Sequence, residues 1–272
     1  MKVLKDRVAV VTGAASGIGR ATAVLLGQSG CRLAISDVDG GGLEETKALV
    51  EATGAKCTTH VVDVSKRERM ESFVTEVLQA HNGVNILVNN AGVSVSATFE
   101  EHSLEDFEWL MGINFWGVVY GCKLFLPTLL AADEAHIVNI SSVFGLVGVP
   151  RQSSYCASKF AVRGFSESLR AELGQTSVRV TSVHPGGVAT NIAAKTRVVG
   201  DEIEQERHKK IIRRFRKMLP PEKAAEAIVR GIVRDQPRVL ITRETYFLDF
   251  AKRAFPNSAS ALVEWGFNRM SH

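Results

Sequence analysis

The sequence predicts a doubly wound α/β domain, a mainly parallel sheet with helices on both faces. Three observations carry this. Short β-branched runs alternate with longer stretches of helical periodicity. Most of the runs are almost continuously apolar, as strands covered on both faces require. No repeat or low-complexity tract interrupts the alternation.

The predicted strands fall at 7–12, 31–37, 56–62, 84–88, 135–141, 178–183 and 238–241. Helical patterns lie between them near 17–29, 42–53, 66–82, 103–131, 153–173 and 221–234. Ser103, with Asp106 three residues on, marks the start of the fourth helix, and Pro221 suits the first turn of the last. Such alternation implies right-handed crossovers. It also places ligands beyond the carboxyl ends of the strands, where the strand order switches.

At 272 residues the chain fits one domain, 1–272, on a single core. With 45% hydrophobic and 23% charged residues it is neither disordered nor fibrous. A formal charge of +4 makes no case for nucleic acid. Cys31, Cys57, Cys122 and Cys156 form no CxxC pair, and no histidines stand at ligand spacing, so no metal site is expected. Lone cysteines suit a reducing cytoplasm. The first seven residues leave no room for a secretion signal, and Lys123 and Pro127 interrupt the longest apolar stretch, so no transmembrane segment is expected.

The first strand runs into Gly13-Ala14-Ala15-Ser16-Gly17-Ile18-Gly19 at a helix start. Glycines there let backbone N–H groups approach a pyrophosphate, and the helix N-terminus adds partial positive charge. A glycine trio alone could be a tight turn; its place between strand and helix favours a dinucleotide. Asp37 closes the second strand 18 residues beyond Gly19. A carboxylate there accepts from both ribose hydroxyls of NAD. At ~5 Å it would repel a 2′-phosphate by roughly 1.5 to 6 kcal/mol. Neither Ser16 nor Val38 offers a compensating cation, so NAD is preferred over NADP. Asp63, followed by Val64, suits an adenine amino group, and Asn90, Ala91 and Gly92 end the fourth strand where Gly92 permits a close turn. Simple turn chemistry is the alternative at both places.

Tyr155 and Lys159 are spaced to share one helical face. A lysine ~5 Å away would supply about 3 kcal/mol at an effective dielectric near 20, about two pKa units off the phenol. A tyrosine so tuned exchanges a proton with an alcohol or carbonyl oxygen. Ser142, at the end of the 135–141 run, can hydrogen-bond the reacting oxygen. Asn114 is an odd residue for a helix interior. It can hold a water linking Lys159 to solvent, or be a satisfied packing residue.

Thr12-Gly13-x-x-x-Gly17-x-Gly19, Asn89-Asn90-Ala91-Gly92, Asn114, Ser142, Tyr155-x-x-x-Lys159 and Pro185-Gly186-x-x-x-Thr190 resemble, in order, the short-chain dehydrogenase/reductase family over about residues 5–192. The resemblance implies a Rossmann-type sheet of seven strands. It implies Tyr155 as acid/base, Ser142 orienting substrate, Lys159 binding the nicotinamide ribose and lowering the tyrosine pKa, and Asn114 completing a proton relay. Pro185, Gly186, Val188 and Thr190 would hold the carboxamide. It also implies a homodimer or homotetramer built on the helices at 103–131 and 153–173.

Beyond Thr190 the family pattern is silent. Residues 195–219 are rich in Lys and Arg, with Ile211, Ile212, Phe215, Met218 and Leu219 near helical spacing. This reads as a solvated amphipathic helix doubling as a substrate lid over about 190–220, or as a helix in peripheral contact with an anionic membrane. A helical tail is expected over about 244–272, carrying Phe247, Phe250, Phe255, Trp265 and Phe267. Val93, Val143, Phe144, Val149 and Ile192 are expected near the chemistry, which predicts an apolar secondary alcohol or ketone as substrate. The competing function is a non-catalytic NAD-binding scaffold or redox sensor. Such a protein needs the glycine turn but not Ser142, Tyr155 and Lys159 together.

Overall fold

The computed structural model describes residues 1–256. Its central sheet has seven parallel strands in the spatial order β3-β2-β1-β4-β6-β7-β9. These are β1 (Val8–Thr12), β2 (Arg32–Asp37), β3 (Cys57–Val61), β4 (Ile86–Asn89), β6 (Ala135–Ile140), β7 (Val178–Pro185) and β9 (Arg238–Ile241). The order reverses between β1 and β4, so the carboxyl ends of those two strands open the binding crevice.

On one face lie α1 (Gly17–Gln28), α2 (Gly40–Glu51) and α8 (Pro221–Val233); Leu26, Leu43, Val50, Ile228 and Ile232 pack there against β-strand residues such as Val11 and Ile35. On the other lie α3 (Arg67–His81), α4 (Leu104–Met111), α5 (Gly117–Ala131) and α6 (Ser153–Glu172), where Phe73 and Phe125 meet edge to face over Val10 and Leu87. β-branched residues alternate between these two cores, which is why the strands read as unbroken apolar runs.

Two features depart from the expected elements. The 103–131 helix is broken by a five-residue π-helical turn, Gly112–Trp116, between α4 and α5. A second, two-stranded sheet pairs β5 (Val95–Ser96) with β8 (Arg197–Val198). The stretch Leu104–Ala131 is long and apolar enough by composition to cross a membrane, contrary to the expectation drawn from Lys123 and Pro127. In the fold it packs on the sheet: Val118, Cys122, Phe125 and Leu129 lie in the core, and Leu110 lies under β5.

After β8 the chain forms α7 (Glu202–Phe215), shorter than the predicted 195–219 because residues 197–198 extend as strand. Among the described residues the last element is α9 (Arg243–Ala254). The rest of the expected tail, with Trp265 and Phe267, lies outside the described residues.

Candidate active site

The nucleotide end is built by hydrogen bonds that the motif residues make to one another. Thr12 Oγ1 accepts from the backbone N–H of Asn90 (3.0 Å) and Ala91 (3.1 Å). The Asn90 amide nitrogen donates to the carbonyls of Thr12 (3.0 Å) and Gly13 (2.9 Å). Asn90 therefore stitches the loop after β4 to the glycine turn, a structural task beside the expected cofactor contact. Gly13 and Gly17 take left-handed backbone conformations, φ +65° and +55°.

Ser16 is the N-cap of α1, yet its hydroxyl makes no capping bond. With no side-chain cap bond, the first N–H groups at Gly17, Ile18 and Gly19 are left for an outside anion. By this test the residues fit a dinucleotide pyrophosphate.

Asp37 ends β2 with one carboxylate oxygen accepting from Ala15 N–H (3.0 Å) and the other from Asp39 N–H (3.1 Å). Each oxygen keeps a lone pair for a further donor. Arg20 reaches the same turn, where its guanidinium pairs with Glu45 (2.8 Å) and donates to Thr46 Oγ1 (2.9 Å) and the Ala15 carbonyl. Val38 is exposed. Asp63 uses one oxygen to accept from the N–H (3.0 Å) and hydroxyl (2.7 Å) of Ser65, while Val64 is buried against Gly117.

At the chemical end, Asn114, Ser142, Tyr155 and Lys159 come together on three elements. The π turn presents Asn114 inward. Its Oδ1 accepts from Val93 N–H (2.8 Å), and its Nδ2 donates to the Val93 carbonyl (2.9 Å) and to Ser158 Oγ (3.3 Å). Ser158 in turn donates to the Tyr155 carbonyl (2.8 Å). The Lys159 Nζ donates to the Ile140 carbonyl (3.0 Å) and stands 5.6 Å from the centre of the Tyr155 ring. Gly92 makes room for it: a Cβ there would lie 3.3 Å from Asn114 Oδ1 and 3.5 Å from Lys159 Nζ.

The electrostatics differ from the expectation. Burial pushes the Tyr155 phenol up to about 12, offset in part by a side-chain hydrogen bond with Ser142. Ser142 Oγ accepts from Phe144 N–H (3.1 Å), which leaves its own proton for the tyrosine oxygen. Burial also brings the Lys159 ammonium down to about 8. Among the protein's own groups, then, Ser142 rather than Lys159 opposes the desolvation of the phenol. The ammonium lies over the ring and donates to the Ile140 carbonyl.

Beyond β7, Gly186 N–H donates to the Ile241 carbonyl (3.0 Å), which aligns Pro185 and Gly186 with the end of β9. Val188 is buried and bridges to Leu219, and the Thr190 methyl would lie 3.1 Å from a Cβ added at Gly17. The 185–190 loop thus faces the glycine turn across the crevice.

Around the Tyr155 ring, Phe144 packs edge-on at 6.1 Å, and Val93, Val95, Trp109, Leu110 and Val199 complete an apolar wall. Val93 and Phe144 were expected there; Val95, Trp109, Leu110 and Val199 were missed. Val143 is buried beside Ser142, whereas Val149 and Ile192 are half-buried and lie outside this cluster. Also missed was Ser141, whose hydroxyl donates to the Lys159 carbonyl (2.8 Å) and ties α6 to the end of β6. The Ser141-Ser142 doublet was the available signal.

Among the described residues no cluster of three or more His, Cys, Asp or Glu could hold a metal, and the four cysteines are free and buried.

A glycine turn at the switch point of a parallel sheet, with buried Ser142 and Lys159 and half-buried Tyr155 beside it, defines a Rossmann-type oxidoreductase. The short chain dehydrogenase family model matches residues 7–198. The chain is 41% identical over 268 residues to the putative oxidoreductase SadH of Mycobacterium tuberculosis, covering 98% of this chain and 97% of that protein. A short chain dehydrogenase/reductase from Burkholderia phymatum, solved in complex with NAD, matches with a TM-score of 0.87 and 30% identity over 97% of each chain. An alcohol dehydrogenase from the archaeon Thermococcus sibiricus, complexed with 5-hydroxy-NADP, matches with a TM-score of 0.73 and 28% identity over 88% of this chain and 95% of that one. The chain belongs to the short-chain dehydrogenase/reductase family.

Proposed function

We propose that the protein is an NAD-dependent dehydrogenase or ketone reductase acting on an apolar secondary alcohol or ketone. The observation that carries this is the convergence of buried Ser142 and Lys159 with half-buried Tyr155 where β6 and α6 meet the glycine-turn crevice. Nicotinamide, when bound, supplies the hydride acceptor or donor; the proton is the chain's task.

In the oxidising direction the alcohol O–H proton passes to the Tyr155 oxygen as the C–H electron pair leaves with the hydride. In the reducing direction Tyr155 returns the proton to the new alkoxide. The Ser142 hydroxyl holds the reacting oxygen and the Lys159 ammonium stabilises the phenolate. The Asn114 amide is bonded to Val93 and Ser158, and a water held beside Asn114 would link Lys159 to solvent.

NAD is favoured because Asp37 would repel a 2′-phosphate and Arg20 is already paired. The apolar wall around Tyr155 favours an apolar substrate. Residues 190–220 serve as its cover. Arg151 latches them from the catalytic side, donating to the Val199 carbonyl (2.6 Å) and pairing with Glu204 (3.2 Å). Arg197 latches them from β8, pairing with Asp106 and lying 3.4 Å over the Trp109 ring. Exposed Trp116, Leu130 and Phe160 on α4–α6 and the intervening turn favour a homodimer or homotetramer through that face. A cytoplasmic enzyme suits four buried free thiols.

The test is a panel of apolar and charged alcohols and ketones, each assayed with both nicotinamide cofactors. Turnover of apolar substrates, faster with NAD(H), is expected. Turnover of charged sugars alone would overturn the substrate class, and faster turnover with NADP(H) would overturn the reading of Asp37. No turnover of any substrate, with NAD still bound, would favour the scaffold reading.

A further inference from the structure

We propose that His184 is a positioning residue for this reaction: its imidazole holds the Ser142 loop in register with the end of β7. The inference rests on the reading of Ser142 as the residue that orients substrate.

Backbone pairing between β6 and β7 runs to Ile140 opposite Val183, and the last bond is from Ser141 N–H to the Val183 carbonyl (2.8 Å). At the next residue the chain leaves the sheet for a short 3₁₀ turn, Val143–Gly145. The Ser142 carbonyl accepts from Gly145 N–H (2.9 Å) within that turn. It also lies 3.2 Å from His184 Nδ1. The imidazole therefore extends the β6–β7 connection by one residue, at the residue whose hydroxyl meets Tyr155. Without it, the Ser142 carbonyl keeps only its own turn, and the nearest tie to α6 is the Ser141 hydroxyl on the Lys159 carbonyl, one residue earlier.

The chemistry of the site assigns the tautomer. A carbonyl only accepts, so Nδ1 carries the proton and Nε2 accepts from Ser182 Oγ at 3.0 Å. His184 is fully buried, and burial brings its pKa down to about 4, so the ring stays neutral at neutral pH. A lysine or arginine would deliver the same donor only with a buried charge.

Sequence adds a second link. His184 directly precedes Pro185-Gly186, the strand end that faces the cofactor crevice, so one side chain couples the substrate-orienting loop to the cofactor-facing loop. A histidine that merely fills the core would contribute to stability alone, and the two roles separate experimentally.

The experiment compares His184→Leu, His184→Asn and Ser142→Ala for kcat at saturating NAD, for NAD affinity and for melting temperature. Asparagine places an amide N–H where Nδ1 was, whereas leucine has similar bulk and no donor. His184→Leu should lose about tenfold to a hundredfold in kcat, the scale of a small misplacement of reacting groups, with NAD affinity little changed. His184→Asn should recover most of it. Leucine and asparagine variants with equal kcat, or a leucine variant as active as the wild type, would overturn the proposal. Should His184→Leu fail to fold, the nitrogen NMR signals of histidine in the wild-type NAD complex decide: a proton on Nδ1 supports the proposal and a proton on Nε2 refutes it. If Ser142→Ala keeps full activity, the reading of Ser142 itself is wrong. If Ser142→Ala is impaired and His184→Leu is not, only this inference fails.

Discussion

Around Tyr155 the polar groups are bound within the protein: Asn114 to Val93, Ser141 to the Lys159 carbonyl, Lys159 to Ile140, and His184 to Ser142. In α7, twenty-odd ångströms of helix by its length, no side chain is buried. That helix is held instead by polar contacts at its rim, including His208 to the Ala193 carbonyl (2.8 Å), Gln205 to the Val198 carbonyl (3.4 Å) and the Arg151–Glu204 pair. The centre is fixed mainly by bonds within the protein, whereas the proposed cover rests on contacts that water can replace. Proton transfer needs oxygen positions kept to fractions of an ångström; a substrate gate needs a segment that opens at small cost.

The sharpest break between the two regions is Lys159→Met. Activity should fall by about a hundredfold to ten-thousandfold, the usual worth of positioned acid–base machinery. The same change should stabilise the fold. Burial lowers the lysine from 10.5 to about 8, so the unfolded chain holds the proton more readily between those values. The burial cost is therefore full below pH 8 and fades as pH rises to 10.5. Lys159→Met should melt above the wild type at pH 7 and lose that advantage near pH 10.5, as melting curves at the two pH values would show.

Next in size is Asp37→Ser. The ratio of kcat/KM with NAD to that with NADP should drop at least about tenfold as the repulsion disappears. Arg151→Met should act on the cover and on the Glu101 loop it also pairs with, raising the substrate KM by about threefold to tenfold, the worth of partly exposed ion pairs and one hydrogen bond, with kcat nearly kept. If kcat falls as steeply as in the Lys159 variant, cover and centre are one unit and the contrast fails. Acid stability gives a separate test of the buried centre. Burial brings His136 down to about 3, and His81 and His184 to about 4, each from 6.5. The unfolded chain gains those protons first, so stability should decline from pH 6.5 towards 4, and less steeply in His136→Asn.

The strands were legible to within two or three residues at each end because both faces of the sheet are covered, which turns burial into uninterrupted apolar runs. Tyr155 and Lys159 were legible because helical spacing fixes their separation. What escaped was non-local. The π turn that aims Asn114 at Val93 leaves no compositional mark beyond an asparagine in an apolar helix. The β5–β8 bridge joins residues about a hundred positions apart, so Val95 and Val199 could not be paired with Tyr155 in advance. Asn90 was legible as part of a motif, but its amide serves the glycine turn. The phenol's pKa escaped because spacing reports a charge nearby and says nothing of desolvation, which here is the larger influence.

The most direct test of the account is the rate of NAD reduction by Tyr155→Phe with the best apolar alcohol, with NAD affinity measured on the same sample. We expect NAD to bind as in the wild type and turnover to fall by about a hundredfold or more. Turnover close to wild type would show that the proton leaves by another route and that Tyr155 is not the acid/base.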